Sequence, residues 1–192
     1  MTDIKIANPG PLGLAGFALT TFFLSSVNAK LLTGKGDIFI VVGLAVFYGG
    51  IAQFAAGMWE FRSGNTFGAT AFTSYGAFWL SFAALLLPGF GAAIGVASQT
   101  AVGYYLLGWT IFTGIMMLGS FRTNGATALV FILLFVTFLL LCIGNLNANS
   151  NIIQIGGYTG IATAVVAWYT ALAGVLTGVS NGRISLPTIP LS

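Results

Sequence analysis

Apolar residues form six long runs along the chain, each about as long as a membrane-crossing helix requires. Charged residues are absent from the middle of these runs and collect near the short segments between them. The runs do not alternate between apolar and polar positions, as the strands of a membrane barrel do, so the pattern predicts helices. The predicted spans are 12–28, 38–61, 67–87, 101–121, 126–144 and 157–180.

The composition indicates the same class of protein. Only 5% of the residues are charged, against about 25% in a soluble domain, and 57% are hydrophobic. A charged side chain at the centre of a membrane span costs roughly 2.5–3.5 kcal/mol on insertion scales, which explains its exclusion from the spans. The sequence therefore predicts an all-α polytopic membrane protein, a six-transmembrane-helix bundle in which residues 1–192 form a single transmembrane domain.

Basic residues are distributed unevenly between the two predicted sides of the membrane. Cytoplasmic loops carry an excess of lysine and arginine, so the richer side is expected to be cytoplasmic. We therefore predict a multi-pass protein of the plasma membrane with both termini in the cytoplasm. The side of the termini carries Lys5, Arg62, Arg122 and Arg183, and the opposite side carries Lys30 and Lys35.

Several classes of function find no support in the sequence. The chain has no histidine, and Cys142 stands alone within an apolar run, so neither a metal site nor a cofactor is expected. Without histidine or paired carboxylates there is little acid–base chemistry, which predicts that the protein is not an enzyme and has no catalytic residues. The basic residues are scattered singly, and binding to nucleic acid is not expected.

Glycines recur at seven-residue intervals in the second predicted span, at Gly43, Gly50 and Gly57. Small residues allow helix backbones to approach closely inside a membrane, where packing drives association. These glycines therefore predict a tightly packed bundle rather than a binding site.

Polar residues inside the spans are more informative about function. Thr66, Thr70, Ser74 and Ser81 share one face of the third span, and Gln53 lies deep in the second. A row of hydroxyl groups on one face favours water or a polar solute passing along it. The alternative is hydrogen bonding between helices, or from each hydroxyl to its own helix backbone.

The first span begins with Asn8-Pro9-Gly10-Pro11, followed by Leu-Gly-Leu. Proline lacks the backbone N–H and disfavours helical geometry in the preceding residue, so no regular helical turn is expected before Pro11. A helix that begins there presents unpaired N–H groups, which favour an anion. The alternative is an ordinary asparagine cap with proline in the first turn. This elaborated start also predicts that the span is retained and is not a cleaved leader.

The motif that starts at Asn8 resembles the signature of the acetate uptake transporter family, small six-helix proteins that move acetate and related short monocarboxylates, and in some members succinate. The signature usually has alanine where Gly10 stands. The likeness covers nearly the whole chain. It continues through residues 47–53, 64–68, 70–76 and 144–145.

The resemblance implies a protomer of the urea-channel type, assembled as a homohexamer in membrane lipid with a separate pathway in each subunit. It also implies a narrow hydrophobic constriction formed by a Phe, a Tyr and a Leu. By position these residues are Phe17, Tyr75 and Leu134, and a size-selecting alanine falls at Ala167.

A carboxylate that crosses an apolar constriction loses its hydration, at a cost of several kcal/mol or more unless protein donors replace the water. No lysine or arginine lies at mid-depth of a predicted span, which favours a small monoanion or the neutral acid over a dianion. The candidate entrance and substrate-binding residues are Asn8, Pro9, Gln53, Asn65, Thr66, Thr70 and Ser74.

Together these features predict membrane transport of acetate and similar short monocarboxylates, either as a proton-linked carrier or as a channel for the anion or the acid. Glu60, near the end of the second span, is the candidate proton carrier. Its alternative role is a local ion pair with Arg62. Two other functions remain open, a channel for small neutral solutes such as urea and a non-transporting membrane sensor.

Overall fold

The computed structural model describes residues 6–87 and 97–191, which contain six helices long and apolar enough to cross a membrane. The predicted all-α, six-span architecture is confirmed. We number the helices in chain order. They are α1 (Gly10–Asn28), α2 (Asp37–Ser63), α3 (Thr66–Leu86), α4 (Gln99–Ser120), α5 (Gly125–Leu146) and α6 (Ser150–Val179).

Helix α6 begins at Ser150, seven residues before the predicted start at residue 157. The expected long turn after the fifth span is therefore only the short segment 147–149. The reason is a strong cap, since Asn149 Oδ1 accepts hydrogen bonds from the N–H groups of Asn151 at 3.0 Å and Ile152 at 3.3 Å. Most of the segment between the third and fourth predicted spans, residues 88–100, lies outside the described residues.

Helix α2 contains a π-helical segment at its centre, over Phe47–Ala52. Such segments widen one turn of a helix and are frequent at functional sites. Here the segment packs Gly49 tightly against α1 and α3. A Cβ atom on Gly49 would lie 2.5 Å from Thr20 Oγ1 and 2.9 Å from Trp79 Cδ1, so only glycine fits without displacing a neighbour.

The helices form one bundle, in which α1 packs against α6 on one side and against α2 and α3 on the other. Helix α5 packs between α4 and α6, and α2 packs along α3. At mid-depth the bundle is filled by an aromatic cluster around Tyr75. The ring of Tyr75 has centroid distances of 5.4 to 6.2 Å to those of Phe17, Trp109, Phe112 and Phe131.

The glycines at seven-residue intervals in α2 do not play one common role. Gly50 and Gly57 lie against Leu80 and Thr73 of α3, as expected for close helix packing. By contrast, a Cβ atom on Gly43 would meet no other atom within 4 Å. Of these three glycines, therefore, only Gly50 and Gly57 serve the close approach of α2 to α3.

We expect Gly49→Ala to destabilise the bundle by about 1–3 kcal/mol, because the added methyl group forces α1 and α3 away from the π segment. Thermal unfolding of the purified protein in detergent measures this loss. Gly43→Ala is the matched control in the same helix, and we expect it to be neutral or slightly stabilising. An equal loss of stability in both variants would contradict the importance of the close approach at Gly49.

Candidate functional site

A cavity of about 530 Å³ lies between α1, α2, α3, α5 and α6. It opens at the end of the bundle where α1 begins and α6 ends, which we call the terminal end. Polar side chains surround the opening, among them Asn8, Glu60, Asn65 and Ser185. Of the described residues that line the cavity, Glu60 alone carries a charge at neutral pH.

The side chains of the cavity wall form two layers, related by a spacing of seven residues on each of the five helices. Seven residues of helix rise about 10 Å, so the second layer lies about that much deeper in the membrane. The mouth layer consists of Gly10, Glu60, Gly68, Thr127 and Thr177, and the floor layer of Phe17, Gln53, Tyr75, Leu134 and Thr170.

Three members of the floor layer, Phe17, Tyr75 and Leu134, close the cavity with apolar groups. The rings of Phe17 and Tyr75 lie 6.0 Å apart, and Leu134 is buried beside them in the same core cluster. The hydroxyl group of Tyr75 is hydrogen-bonded to Thr113 Oγ1 of α4 at 2.9 Å. Ala167 is buried in the same cluster but does not line the cavity, so it lies behind the floor rather than within it.

At the mouth, Glu60 is only 3% exposed and is held by neutral donors. Its carboxylate accepts hydrogen bonds from Asn65 Nδ2 at 2.9 Å and from Ser63 Oγ at 3.2 Å. Asn65 also caps α3, because its Oδ1 accepts the N–H of Gly68 at 3.1 Å. The observed partners of Glu60 are therefore these neutral groups, and Arg62 is exposed away from them.

Glycine is required at position 68 for this arrangement. A Cβ atom there would lie 2.9 Å from the carboxylate carbon of Glu60, too close for the side chain to remain in place. The turn between α2 and α3 thus buries a carboxylate at the cavity mouth by combining a small residue below it with an amide donor beside it.

The start of α1 differs from the expected anion-binding helix end. Asn8 Oδ1 accepts the N–H of Gly10 at 2.9 Å, Pro11 has no N–H, and the N–H of Leu12 donates to the carbonyl of Pro9 at 3.1 Å. The first donors of the helix are therefore absent or already paired. The residue before the helix is Pro9, in helical geometry and without a side-chain cap, so neither a start at Pro11 nor an asparagine N-cap is observed. Asn8 lines the cavity, whereas Pro9 does not.

The hydroxyl groups predicted to line a path along the third span lie elsewhere. Thr66 is exposed, Thr70 and Ser74 are half-buried, and none of the three lines the cavity. Tyr75 does line the cavity. It lies about 140° around the helix axis from Thr70, at 100° per residue. The rotation of α3 is set by packing of its glycine and aromatic face into the bundle, so its hydroxyl row points away from the cavity.

Sequence reasoning missed the polar groups that α6 contributes. Thr177 and Thr170 line the cavity, and Thr163 lies a further seven residues along, beyond the floor. Thr163 is completely buried, with its Oγ1 3.4 Å from Oγ1 of Thr137 on α5. The interval of seven residues between these threonines is visible in the sequence and marks one face of the helix.

The segment after α6 folds back to form one wall of the opening. The hydroxyl group of Tyr169 donates to the carbonyl of Pro187 at 2.7 Å. The N–H of Gly125, at the start of α5, donates to the carbonyl of Ile189 at 2.7 Å. This segment contributes Ser185, Leu186 and Thr188 to the cavity wall.

A six-span bundle with one polar-mouthed cavity, closed at mid-depth by apolar side chains, is the architecture of a membrane transporter or channel protomer for small solutes. The whole chain, residues 1–192, matches the model of the GPR1/FUN34/yaaH family. The protein belongs to that family, and the resemblance found in its sequence is confirmed.

Two relatives and one solved structure illustrate the family. The succinate-acetate/proton symporter SatP of Escherichia coli K12 is 43% identical over 97% of this chain and 97% of its own length. The ammonia transport outward protein 2 of Saccharomyces cerevisiae is 46% identical over 90% of this chain but only 63% of its own length. A structure of the bacterial acetate channel SatP superposes with a TM-score of 0.89 at 41% identity, covering 96% of this chain and 99% of the other.

The chain spans about two thirds of the length of the yeast relatives that it matches. It spans nearly all of the bacterial symporter and of the solved channel. The bacterial symporter and the solved channel are named for transport, and the prediction that this chain is not an enzyme is confirmed.

We expect Tyr169→Phe to loosen the segment that follows α6, because it removes the hydrogen bond to Pro187. One such bond contributes about 0.5–1.5 kcal/mol, so the amides of Gly125 and Ala126, which donate to this segment, should exchange about 2- to 10-fold faster. Hydrogen–deuterium exchange measures the effect. Tyr158→Phe, at an exposed position of the same helix, is the control. Unchanged exchange in Tyr169→Phe would show that the bond does not hold the segment.

Proposed function

We propose that this protein transports acetate and similar short monocarboxylates across the membrane, each protomer using its own cavity. The observation that carries the proposal is the cavity itself, with a polar opening that holds no lysine or arginine among the described residues and a floor that includes Phe17, Tyr75 and Leu134. The kinship with an acetate channel and a succinate-acetate symporter supports the choice of substrate class.

The floor layer is the proposed size filter. Phe17, Tyr75 and Leu134 are buried in one cluster, so a solute passes only where these side chains part. A ring of apolar groups selects by width, because it offers little to distinguish solutes except the space they need. Ala167 is buried in the same cluster without lining the cavity, so a larger side chain there would press its neighbours towards the passage.

Glu60 is the proposed proton carrier. It is buried at the opening, where its carboxylate has neutral donors and no cationic partner among the described residues. An incoming carboxylate passes this group before it reaches the apolar floor. Transfer of the proton from Glu60 to the carboxylate produces the uncharged acid, whose desolvation costs far less than that of the anion.

We assign the protein to the plasma membrane as one transmembrane unit, with both termini in the cytoplasm. The supporting observation is the distribution of charge between the two ends of the bundle. Arg62, Arg122 and Arg183 lie at the terminal end, and Lys30 and Lys35 lie in the connection between α1 and α2 at the opposite end. The cavity therefore opens towards the cytoplasm in this assignment.

The proposed assembly is a homohexamer, as the resemblance to acetate uptake transporters implies. In support, the outer surface of α2 exposes a continuous apolar face that a neighbouring subunit or lipid can cover. This face consists of Phe47, Ile51, Phe54, Met58 and Trp59.

A second candidate function is the passage of a small neutral solute such as urea or ammonia. It is favoured by the lack of any lysine or arginine among the described residues of the cavity wall. Flux of radiolabelled acetate and of urea into vesicles containing the purified protein separates the two functions. Acetate flux above that of protein-free vesicles supports the proposed function, and urea flux alone supports the second.

We expect Leu134→Ala to admit bulkier acids, because it removes most of one wall of the floor layer. The ratio of lactate to acetate uptake in proteoliposomes should rise about tenfold, the effect of roughly 1.4 kcal/mol of relieved steric barrier. Leu141→Ala is the matched control, a buried leucine of the same helix that does not line the cavity. An unchanged ratio in Leu134→Ala would remove Leu134 from the pathway.

We expect Glu60→Gln to lower acetate uptake driven by an imposed pH gradient by about tenfold or more, because the amide cannot release a proton. Uptake of labelled acetate into proteoliposomes, with and without the gradient, measures this. Asp37→Asn, the same chemical change at the opposite end of the bundle, is the control. Full pH-driven uptake in Glu60→Gln would exclude the proposed carrier role.

A further inference from the structure

The side chain of Gln53 is one of four in the described chain that have a buried polar atom without a hydrogen-bond partner, and the only one of these four that lines the cavity. It belongs to the floor layer of the cavity and is only 1% exposed. Its Oε1 atom is buried and has no hydrogen-bond partner among the described residues. Buried polar atoms in proteins are nearly always paired, so an unpaired one needs an explanation. At a cavity wall, a bound solute is a partner that can complete it.

The other polar groups of the floor layer are already engaged. The hydroxyl of Tyr75 is bonded to Thr113, and the hydroxyl of Thr170 donates to the carbonyl of Val166 at 2.8 Å. The remaining members of the layer are apolar. The amide of Gln53 is therefore the polar group of the floor layer whose acceptor atom is unused.

The electrostatics of the cavity do not favour an anion at this depth. Glu60 is the charged member of the described wall, about 10 Å from Gln53 along the same helix, and its charge is negative. The first N–H of α1 is capped by Asn8 and is not available to an anion. A carboxylate at the floor thus meets a like charge and no cation, in surroundings of low dielectric.

The chemistry of the amide distinguishes the two forms of a carboxylic acid. An amide carries an acceptor oxygen and N–H donors, and an undissociated carboxyl group carries an acceptor oxygen and one O–H donor. The two groups can pair edge to edge, the acid donating to Oε1 of Gln53 and accepting from Nε2. A carboxylate has acceptors only, so it leaves Oε1 unpaired and places a second oxygen against it.

We propose that Gln53 is the substrate-binding residue at the floor of the cavity, and that it binds the undissociated acid through this pair of hydrogen bonds. The inference rests on the proposed function and goes beyond it, because it defines the protonation state of the species that enters the constriction. The methyl group of the acid then lies towards the apolar members of the layer, Phe17 and Leu134.

The proposal is tested by competition, which needs no variant. Wild-type protein in vesicles takes up labelled acetate near neutral pH in the presence of an excess of one of three competitors. Acetamide is uncharged and has both the donor and the acceptor, acetone has the same outline without the donor, and trifluoroacetate is a permanently ionised anion. We expect inhibition by acetamide and little by the other two. Inhibition by trifluoroacetate without inhibition by acetamide would overturn the proposal.

Substitution of the amide provides the second measurement. Gln53→Leu should lower acetate uptake about tenfold, the effect of losing the paired hydrogen bonds, and should abolish inhibition by acetamide. Gln154→Leu is the matched control, because Gln154 donates to the carbonyl of Ala29 at 3.1 Å far from the cavity. Gln53→Asn, which keeps the amide but withdraws it from the floor, should weaken acetamide inhibition while preserving the fold.

The outcomes separate this inference from the function on which it rests. Wild-type protein that takes up no more acetate than protein-free vesicles would overturn both. Wild-type acetate uptake that acetamide does not inhibit, or that Gln53→Leu and Gln53→Asn leave unchanged in rate and competition, would overturn the role of Gln53 alone.

Discussion

The structure depends on the cost of placing polar groups in a medium that cannot solvate them. In hydrocarbon each polar atom must find its partner inside the protein, and each charge must be absent, neutralised or confined to an end of the bundle. The hydroxyl groups of Thr20, Thr110 and Thr170 meet this requirement by donating to their own helix backbones. Among the few buried polar atoms without a partner in the described chain, Oε1 of Gln53 belongs to a residue that lines the cavity.

Two polar groups at the cavity wall differ in how far the protein compensates for their burial. Glu60 is buried at the opening but is surrounded by the neutral donors Ser63 and Asn65, so its charge is tolerated without a cation. Gln53, two turns deeper, has an acceptor atom that nothing in the described chain satisfies. The wall thus changes from a group that can carry a charge to one suited to an uncharged partner, just where Phe17 and Leu134 make the passage apolar.

One sequence spacing relates the residues at the mouth of the cavity to those at its floor. Five helices each contribute one residue to the mouth and another, seven positions away, to the floor. An interval of seven residues corresponds to nearly two helical turns, so both residues lie on the same face. The same five helices therefore position both the mouth layer and the floor layer. The π segment of α2 lies directly beside the floor, where Gly49 allows α1 and α3 to approach.

Much of this could be predicted from the sequence, because the signals involved are local. The lengths of the apolar runs defined the six spans, and the signature around Asn8 identified the kinship that the family match confirms. The start of α6 was misplaced, since an asparagine cap at Asn149 allowed the helix to begin before its apolar run. The π segment had no sequence signal beyond a pair of glycines, which are equally common in ordinary membrane helices.

The sequence by itself determined the class of protein, the number of spans and the absence of charge from their centres, because each follows from transfer of one segment into hydrocarbon. Only the tertiary structure decided which face of each helix meets the cavity. In a membrane both the lipid and the core are apolar, so hydrophobicity does not indicate the rotation of a helix. The hydroxyls of Thr70 and Ser74 therefore looked like a path, whereas packing turned them outward and brought Gln53, Tyr75 and Thr170 together instead.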